Sequence, residues 1–306
     1  MTNSTSDKNQ KISKKSANKV QASSSESLNN FNRFVIVTGD KGGVGKSTFA
    51  RGLLQIFLDK KLQFTAYDAD KRNPQLHRHF GEQRVKLIDI FTRGGGDYLL
   101  IDLDEKRPPL ALLDLPSQSG EFFEKFDKEL DLFESLKSIH YRITMVSVIS
   151  RVKDSVTIIE SLHEYCGKKV DYVVVKNLFH GEEDKFERYN DSEIREKMRK
   201  SVSLKEISLP DLFYRPYDYI DEHSLTFSDV FTHEGANIAI KSRVKSWMLA
   251  FENSVSLATN LLGLESTPVP IQAPVSESSP TSTPTLVPES ISVPTSAPEL
   301  GAAQTA

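Results

Sequence analysis

The chain of 306 residues has very little cysteine and no long uninterrupted apolar run. Its one cysteine, Cys166, excludes a disulfide within the chain and a metal site of four thiolates in one copy. No apolar stretch approaches the roughly 20 residues that a membrane-spanning helix needs. The first residues are polar and contain lysine, without the apolar core of a secretory signal. We therefore expect a cytoplasmic protein, and the scarcity of cysteine fits a reducing compartment.

The chain also lacks a large excess of charge of either sign, since its formal net charge is −3. No overall positive field therefore demands nucleic acid as a partner. The charge is uneven along the chain, since residues 1–31 carry five lysines against two carboxylates and few large apolar side chains. We expect this segment to be a disordered, solvated tail, and the alternative is a weak contact with DNA or an anionic surface.

The most informative pattern is the glycine-rich stretch between residues 38 and 48. It follows an apolar run, Phe34–Val37, and leads into apolar residues at helical spacing. Strand, glycine-rich turn and helix together are the context of a phosphate-binding loop, in which backbone N–H groups and the helix N-terminus face an anion. Lys46 is expected to reach the β- and γ-phosphates and Ser47 to bind Mg²⁺. The predicted nucleotide-binding residues of the loop are Gly42, Gly43, Val44, Gly45, Lys46, Ser47 and Thr48.

The loop departs from the simple Walker A pattern in one respect. Asp40 stands where a glycine is usual, and a second lysine, Lys41, directly precedes the double glycine. The loop resembles the deviant Walker A loop of the ParA/MinD family of nucleotide-dependent positioning ATPases. This resemblance implies that Lys41 reaches across a nucleotide-sandwich dimer to the partner's phosphates and acts in catalysis. Two alternatives are an ordinary P-loop with a solvated Lys41 and a glycine-rich turn that binds nothing.

A second motif follows the next predicted strand, which begins at Leu62 and ends in the carboxylates Asp68 and Asp70. Ligands of open α/β sheets bind at the carboxyl ends of the strands, so both side chains should share a rim with the P-loop. The family resemblance implies that Asp70, the second aspartate, helps to place the attacking water. The alternative is that both aspartates only cap the strand.

The predicted magnesium ligand is Asp114. It ends an apolar run, Leu110–Pro116, whose Asp114-x-Pro116 ending resembles the Walker B strand and switch loop of the family. The resemblance implies that Asp114 holds Mg²⁺ through water. Asp102, at the end of another acidic pattern, is the alternative. Residues 81–109 resemble no family motif.

A fourth motif is Asn177, which follows the buried-strand pattern Val170–Lys176. An amide both donates and accepts hydrogen bonds, which suits the edge of a purine. The resemblance implies that Asn177 reads the adenine edge, and a plain turn former is the alternative.

Strand patterns alternate with amphipathic helix patterns, which predicts a doubly wound, mostly parallel α/β sheet flanked by helices, as in P-loop NTPases. A long helix is expected at 120–137, with an aromatic stripe that includes Phe122 in the core, and another at 236–262. The aromatic cluster at 213–219 is expected in a loop. We expect residues 32–263 to form a P-loop ATPase domain. Residues 264–306, with eight prolines and no lysine or arginine, should form a disordered tail.

The resemblance implies an ATP-dependent dimerising switch that hydrolyses ATP with Mg²⁺ and positions or partitions a plasmid, a chromosome region or a protein assembly. Its implied partners are a second copy, an adaptor protein that stimulates hydrolysis, and DNA bound without sequence preference. The acidic C-terminal tail argues against a MinD-like membrane role. Alternatives are a small-molecule ligase or carrier enzyme on the same scaffold, and a pseudo-enzyme that uses nucleotide as a structural clamp.

Overall fold

The computed structural model of the chain describes residues 31–39 and 42–265. Within these residues, seven strands form one sheet in the order β3-β2-β4-β1-β5-β6-β7, and every neighbouring pair is parallel. The strands are β1 (Asn32–Thr38), β2 (Phe64–Asp68), β3 (Val85–Leu87), β4 (Leu110–Asp114), β5 (Tyr141–Ile149), β6 (Asp171–Asn177) and β7 (Leu204–Leu209).

Helices cover both faces of the sheet. The α-helices of the described residues are α1 (Lys46–Asp59), α2 (Gln75–Phe80), α3 (Asp97–Lys106), α4 (Gly120–Leu130), α5 (Leu132–Ser138), α6 (Lys153–Cys166), α7 (Glu187–Asn190), α8 (Glu193–Ser201), α9 (Tyr214–Glu222) and α10 (Ile238–Ser256). Short 3₁₀ turns lie at Gly167–Lys169, Leu178–His180, Glu183–Lys185 and Asp229–Phe231.

Burial on both faces explains why the central strands have unbroken apolar sequences. All residues of β4 and β6 are buried, as expected for parallel strands sandwiched between helices. One core contains Phe49 of α1 and Phe251 of α10, and the other contains Phe123 of α4 and Leu136 of α5. These three layers confirm the predicted doubly wound α/β fold.

The strand order places the P-loop at the switch point of the sheet. β1 pairs with β4 on one side and with β5 on the other, so the chain builds outward from β1 in both directions. A crevice at the carboxyl ends of the strands forms where the order reverses. The last residues of β4 and β6 and the loops that follow β1 and β2 place the candidate residues at this edge.

Several local predictions differ from the structure. The helix expected at 120–137 is divided into α4 and α5 at Asp131, which has a left-handed φ of 46°. The predicted buried stripe of that helix is wrong for Phe122, which is 41% exposed. The loop expected at 213–219 is also wrong, because Tyr214 begins α9. Pro216 lies in the first turn of that helix, where its missing N–H is tolerated.

Some predictions concern residues that the structure does not describe. Asp40 and Lys41 lie outside the described residues, as do residues 1–30 and 266–306 of the two expected tails. Among the residues that are described, no helix has the length and apolar character needed to cross a membrane.

Candidate functional site

The P-loop connects β1 to α1, and its geometry depends on Gly45. This residue has a φ of 104° and precedes Lys46, the first residue of α1. A Cβ atom there would lie 2.5 Å from Nδ2 of Asn177. Glycine is therefore required both by the left-handed backbone and by the close approach of β6. Gly42 and Gly43 are exposed, whereas Val44 is buried.

Lys46 is buried, with 6% of its surface exposed, and its ammonium reaches another loop. Its Nζ donates a hydrogen bond of 2.8 Å to Oγ of Ser117, in the loop after β4. The sequence analysis did not assign Ser117 a role. The only pattern that could have indicated one is the position of its hydroxyl three residues after Asp114. The P-loop lysine is thus joined to the segment that the sequence predicts to be a switch.

Asp114 ends β4 and is 1% exposed. Its Oδ1 is buried and has no hydrogen-bond partner among the described residues. Burial, together with the nearby carboxylate of Asp68, raises the pKa of Asp114 to about 8. A hydrogen bond from Ser47 and the charge of Lys46 act in the opposite direction and lower that pKa. Two P-loop residues therefore face the predicted magnesium ligand.

Asp68 lies beside Asp114, since the two residues pair in the register of β2 and β4. Its Oδ2 accepts hydrogen bonds from the backbone N–H groups of Leu76 at 2.9 Å and His77 at 3.1 Å. Burial raises the pKa of Asp68, and these hydrogen bonds oppose the shift. Asp68 therefore anchors the first turn of α2 next to the candidate magnesium site.

The residues around Asp114 fit a magnesium ion that is shared with a phosphate. Among the described residues, no group of three or more His, Cys, Asp or Glu side chains could hold a metal. Magnesium in nucleotide sites usually takes one or two protein oxygens and completes its shell with phosphate oxygens and water. The hydroxyl of Ser47 and the unpartnered Oδ1 of Asp114 supply protein oxygens of this kind.

Asp70 is half-buried at the start of the loop after β2. Its Oδ1 accepts hydrogen bonds from the backbone N–H groups of Arg72 at 3.2 Å and Asn73 at 3.0 Å, which hold the turn before α2. Its charge contributes to the raised pKa of Asp114, so the two carboxylates share one region of the rim. The role of Asp70 in placing water stays a prediction.

Asn177 lies beneath the P-loop and is 6% exposed. Its Nδ2 donates to the carbonyl of Val44 at 2.8 Å, and its Oδ1 accepts from the N–H of Phe179 at 3.1 Å. The side chain thus joins the end of β6 to the P-loop. Adenine reading stays a prediction that would use the second hydrogen of Nδ2 or the second lone pair of Oδ1.

Asp102, the alternative magnesium ligand, lies in α3 instead of at the end of a strand. Its carboxylate accepts from the Tyr67 hydroxyl at 2.6 Å and pairs with Lys86 and Lys106, each at 2.6 Å. These contacts give Asp102 a structural role between α3 and the β2–β3 edge of the sheet.

The sequence matches a known protein family over more than half of its length. A family model described as the CobQ/CobB/MinD/ParA nucleotide binding domain matches residues 35–208. The chain belongs to this family. The matched range of this CobQ/CobB/MinD/ParA domain includes the P-loop, Asp70, Asp114 and Asn177. The chain is also similar to the protein MobD of Acidithiobacillus ferrooxidans, with 25% identity over 196 residues that cover 63% of this chain and 84% of MobD.

Solved structures with similarity to this CobQ/CobB/MinD/ParA domain include a variant of McdA from Cyanothece in complex with ATP. It has 14% identity and a TM-score of 0.41, with 75% of this chain and 96% of that chain covered. The MinC:MinD cell division complex of Aquifex aeolicus has 16% identity and a TM-score of 0.34, with 71% and 95% covered. A nucleotide-binding protein of Archaeoglobus fulgidus in complex with ADP has 17% identity and a TM-score of 0.36, with 61% and 84% covered. The family match carries the assignment.

Proposed function

We propose that the chain is an ATP-dependent switch ATPase that binds ATP with Mg²⁺, dimerises and hydrolyses it. The observation that carries the proposal is the meeting of Lys46, Ser117 and Asp114 at the carboxyl ends of β1 and β4. A lysine, a buried carboxylate with an unpartnered oxygen and an adjacent hydroxyl are the groups that a P-loop site uses for phosphate and metal.

The contact between Lys46 and Ser117 supports the idea of a switch. A lysine that turns to a phosphate exchanges its hydrogen bond with the Ser117 hydroxyl for a stronger, charge-assisted one. The loop after β4 is then released from the P-loop and free to adopt a second arrangement. Nucleotide binding would therefore change the position of the segment that follows Asp114.

Hydrolysis in this proposal depends mainly on positioning and charge neutralisation, as in other phosphoryl transfers. Lys46 would orient the phosphates, Ser47 and Asp114 would hold the Mg²⁺, and Asp70 would place the attacking water. Bound Mg²⁺ would neutralise charge that develops on the phosphate oxygens. Lys41 of a second copy would add a positive charge, and such trans-acting cations contribute on the order of 10³–10⁵ in rate.

The proposed output is the positioning or partitioning of a cargo in the cytoplasm, such as a plasmid, a chromosome region or a protein assembly. An adaptor protein would stimulate hydrolysis, and DNA bound without sequence preference would serve as the surface. Arg243 and Lys245 of α10 are exposed and suit contacts with phosphates. The domain responsible is residues 32–263.

The main competing proposal, a carrier or ligase on the same scaffold, has less support. A carrier that shares a cluster between two copies would need an accessible Cys166. That side chain is 1% exposed, and burial raises the pKa of its thiol to about 12. No contact of the described residues favours a small-molecule ligase. ATP turnover that depends on a small-molecule acceptor would support that alternative.

Calorimetry with Mg²⁺ and ATP tests the proposed function. We expect binding by the full chain and a loss of at least about 100-fold for Lys46→Ala, because two charge-assisted phosphate contacts disappear. Asp114→Asn should bind ATP without its dependence on Mg²⁺. Lys168→Ala, an exposed lysine at the amino end of β6, is the matched control and should bind like the unaltered chain. No heat with the unaltered chain would refute the proposal.

A further inference from the structure

Two histidines lie together in a part of the molecule that the proposed mechanism does not use. His223 directly follows α9, and His233 lies between the 3₁₀ turn Asp229–Phe231 and α10. Their ring centroids are 4.9 Å apart. His223 is exposed and His233 is half-buried, so an ion from solvent can reach the pair. Neither histidine belongs to the candidate nucleotide site.

The distance between the two rings matches that of two imidazoles on one metal ion. A zinc ion lies about 2.1 Å from a coordinating imidazole nitrogen, which places it about 3.2 Å from the ring centroid. Two such rings at a tetrahedral angle have centroids about 5 Å apart. The separation of His223 and His233 therefore fits a shared ion.

Hydrogen bonds to Tyr219 leave one nitrogen of each ring available. Nδ1 of His223 lies 2.9 Å from the carbonyl oxygen of Tyr219. A carbonyl only accepts, so this Nδ1 carries the hydrogen, and the lone pair of the neutral ring is on Nε2. Nδ1 of His233 bonds to the Tyr219 hydroxyl, which can accept in the same way. Histidines that bind metals usually have this arrangement, in which the other ring nitrogen donates to a protein oxygen or water.

The backbone and Tyr219 hold both histidines in place before a ligand arrives. The N–H of His223 donates to the carbonyl of Tyr219 at 3.3 Å, and the N–H of His233 donates to the carbonyl of Asp229 at 2.9 Å. The ring of Tyr219 packs against both imidazoles, at centroid distances of 4.4 Å from His223 and 5.6 Å from His233. Binding then costs little additional ordering of these side chains, which favours it.

The charge around the pair favours a cation. Residues 217–234 contain five carboxylates and no lysine or arginine. Arg78 of α2 reaches this segment, and its charge is paired with Asp221. Among the described residues, no third His, Cys, Asp or Glu joins the two histidines in a metal-binding group. Water would therefore complete the coordination, as in other open metal sites.

We propose that His223 and His233 bind one Zn²⁺ ion through their Nε2 atoms, with water as the remaining ligands. Imidazole suits zinc and related transition metals, whereas Mg²⁺ prefers oxygen ligands. The bound ion fastens the end of α9 to the segment that precedes α10. The site goes beyond the proposed function, because it binds its ion with or without nucleotide.

Calorimetry with Zn²⁺ and the full chain, in excess Mg²⁺ and without nucleotide, tests the site. We expect one ion per chain with a Kd on the order of 10 µM, since two imidazoles supply the protein ligands. The double variant His223→Gln/His233→Gln should bind at least about 30-fold more weakly. His77→Gln/His140→Gln removes the same number of imidazoles from other parts of the molecule and should bind like the unaltered chain.

Nuclear magnetic resonance shows which nitrogens bind the ion. In protein labelled with ¹⁵N-histidine, Zn²⁺ should shift the Nε2 resonances of His223 and His233 and leave those of His77 and His140 unchanged. Tyr219→Phe keeps both imidazoles but removes the hydroxyl that bonds to Nδ1 of His233. This variant should therefore bind Zn²⁺ about tenfold more weakly.

Equal affinities of the two double variants would overturn the inference, as would Nε2 resonances of His223 and His233 that do not respond to Zn²⁺. Failure of the proposed function looks different, because it appears as absent ATP binding in the unaltered chain. Lys46→Ala separates the two further, since this variant should lose ATP binding and keep the Zn²⁺ site.

Discussion

Asn177 shows how one side chain can support a loop 133 residues away in the sequence. Its amide joins the carbonyl of Val44 to the end of β6, and Gly45 leaves room for the contact. Because the amide is buried and satisfied at both ends, its removal leaves the buried carbonyl of Val44 and the partly buried N–H of Phe179 without this partner. The residue therefore contributes to the shape of the P-loop before any nucleotide binds.

We predict that Asn177→Ala lowers the free energy of unfolding by about 1–3 kcal/mol, the usual cost of leaving a buried polar group unpaired. Urea unfolding measures this change. If the amide also reads adenine, calorimetry should show a larger loss of affinity for ATP than for tripolyphosphate. Asn253→Ala, at an exposed position of α10, is the control, and an equal effect of both variants would contradict the prediction.

At the scale of elements, α1 and α10 approach each other closely at Gly52. A Cβ atom on Gly52 would lie 2.7 Å from the ring of Phe251. That ring also meets Phe49 edge-on, at a centroid distance of 5.5 Å, and stacks on Trp247 at 5.1 Å. Glycine is thus used within a helix because an aromatic ring occupies the place of its side chain.

Gly52→Ala should therefore destabilise the protein, although alanine is the better helix former by about 1 kcal/mol. The clash with Phe251 should cost about 1–3 kcal/mol, as overpacked cores do. Thermal and urea unfolding show whether Gly52→Ala lowers or raises the free energy of unfolding. The double variant Gly52→Ala/Phe251→Leu should recover part of the lost stability. If Gly52→Ala alone is more stable than the unaltered chain, α10 can move away from α1 and the prediction is wrong.

A second contact between elements covers the outer face of α1. Arg78 of α2 pairs with Asp221 of α9, and Nδ1 of His79 donates to the carbonyl of Leu225 at 2.8 Å. Beneath them lies Arg51, which is 2% exposed, with its guanidinium over the ring of Phe227. Burial, with the positive charges of Arg51 and Arg78, lowers the pKa of His79 to about 4.

This shift predicts acid sensitivity. The unfolded chain takes up a proton on His79 below about pH 6.5, whereas the folded protein resists until about pH 4. Stability is therefore lost as the pH falls through this window, by about 2 kcal/mol at pH 5. Urea unfolding at about pH 7.5 and about pH 5 should show this extra loss in the unaltered chain and not in His79→Gln. Parallel losses in both proteins would contradict the assignment.

At the scale of the whole molecule, the proposed function requires a second copy to sit on the P-loop face. Lys41 lies outside the described residues, so its proposed reach to the partner's phosphates follows from the sequence and the family resemblance. The acidic C-terminal segment and the lysine-bearing N-terminal segment leave the net charge near zero. Association of two copies would then depend on nucleotide more than on long-range charge.

Size exclusion with light scattering tests this assembly. The full chain should elute as a dimer with ATP and Mg²⁺ and as a monomer without them. Lys41→Ala should bind ATP with little change but lose the dimer and its hydrolysis, since the trans charge is missing. Lys168→Ala, the exposed lysine before β6, is again the control. If Lys41→Ala dimerises and hydrolyses ATP normally, Lys41 does not act across the dimer, and the loop is an ordinary P-loop.

The same samples with added DNA test the proposed surface. Binding without sequence preference should weaken steeply as salt increases, because phosphate contacts release counterions. Arg243→Ala/Lys245→Ala on α10 should reduce the slope of that salt dependence. A salt-independent interaction would argue against contacts with phosphates.

Local sequence was sufficient for the strands and the P-loop. Strands such as β4 and β6 are buried on both faces, so their apolar runs are unbroken and visible without any partner. The spacing from Gly42 to Thr48 indicates phosphate binding because the backbone N–H groups and side chains that bind a phosphate lie within one short loop of the sequence. The interruption at Asp131 and the helix α9 were missed, since neighbouring elements decide those boundaries.

The sequence by itself determined the fold class, the phosphate-binding loop and the aspartates that share its rim. The tertiary structure alone decided which side chains meet, because those contacts join residues far apart in the chain. Lys46 reaches Ser117 across 71 positions, and Asp68 lies beside Asp114 through strand pairing. These contacts depend on burial, which determines hydrogen-bond partners and pKa values. The burial of a side chain is known only after the helices and the sheet have packed together.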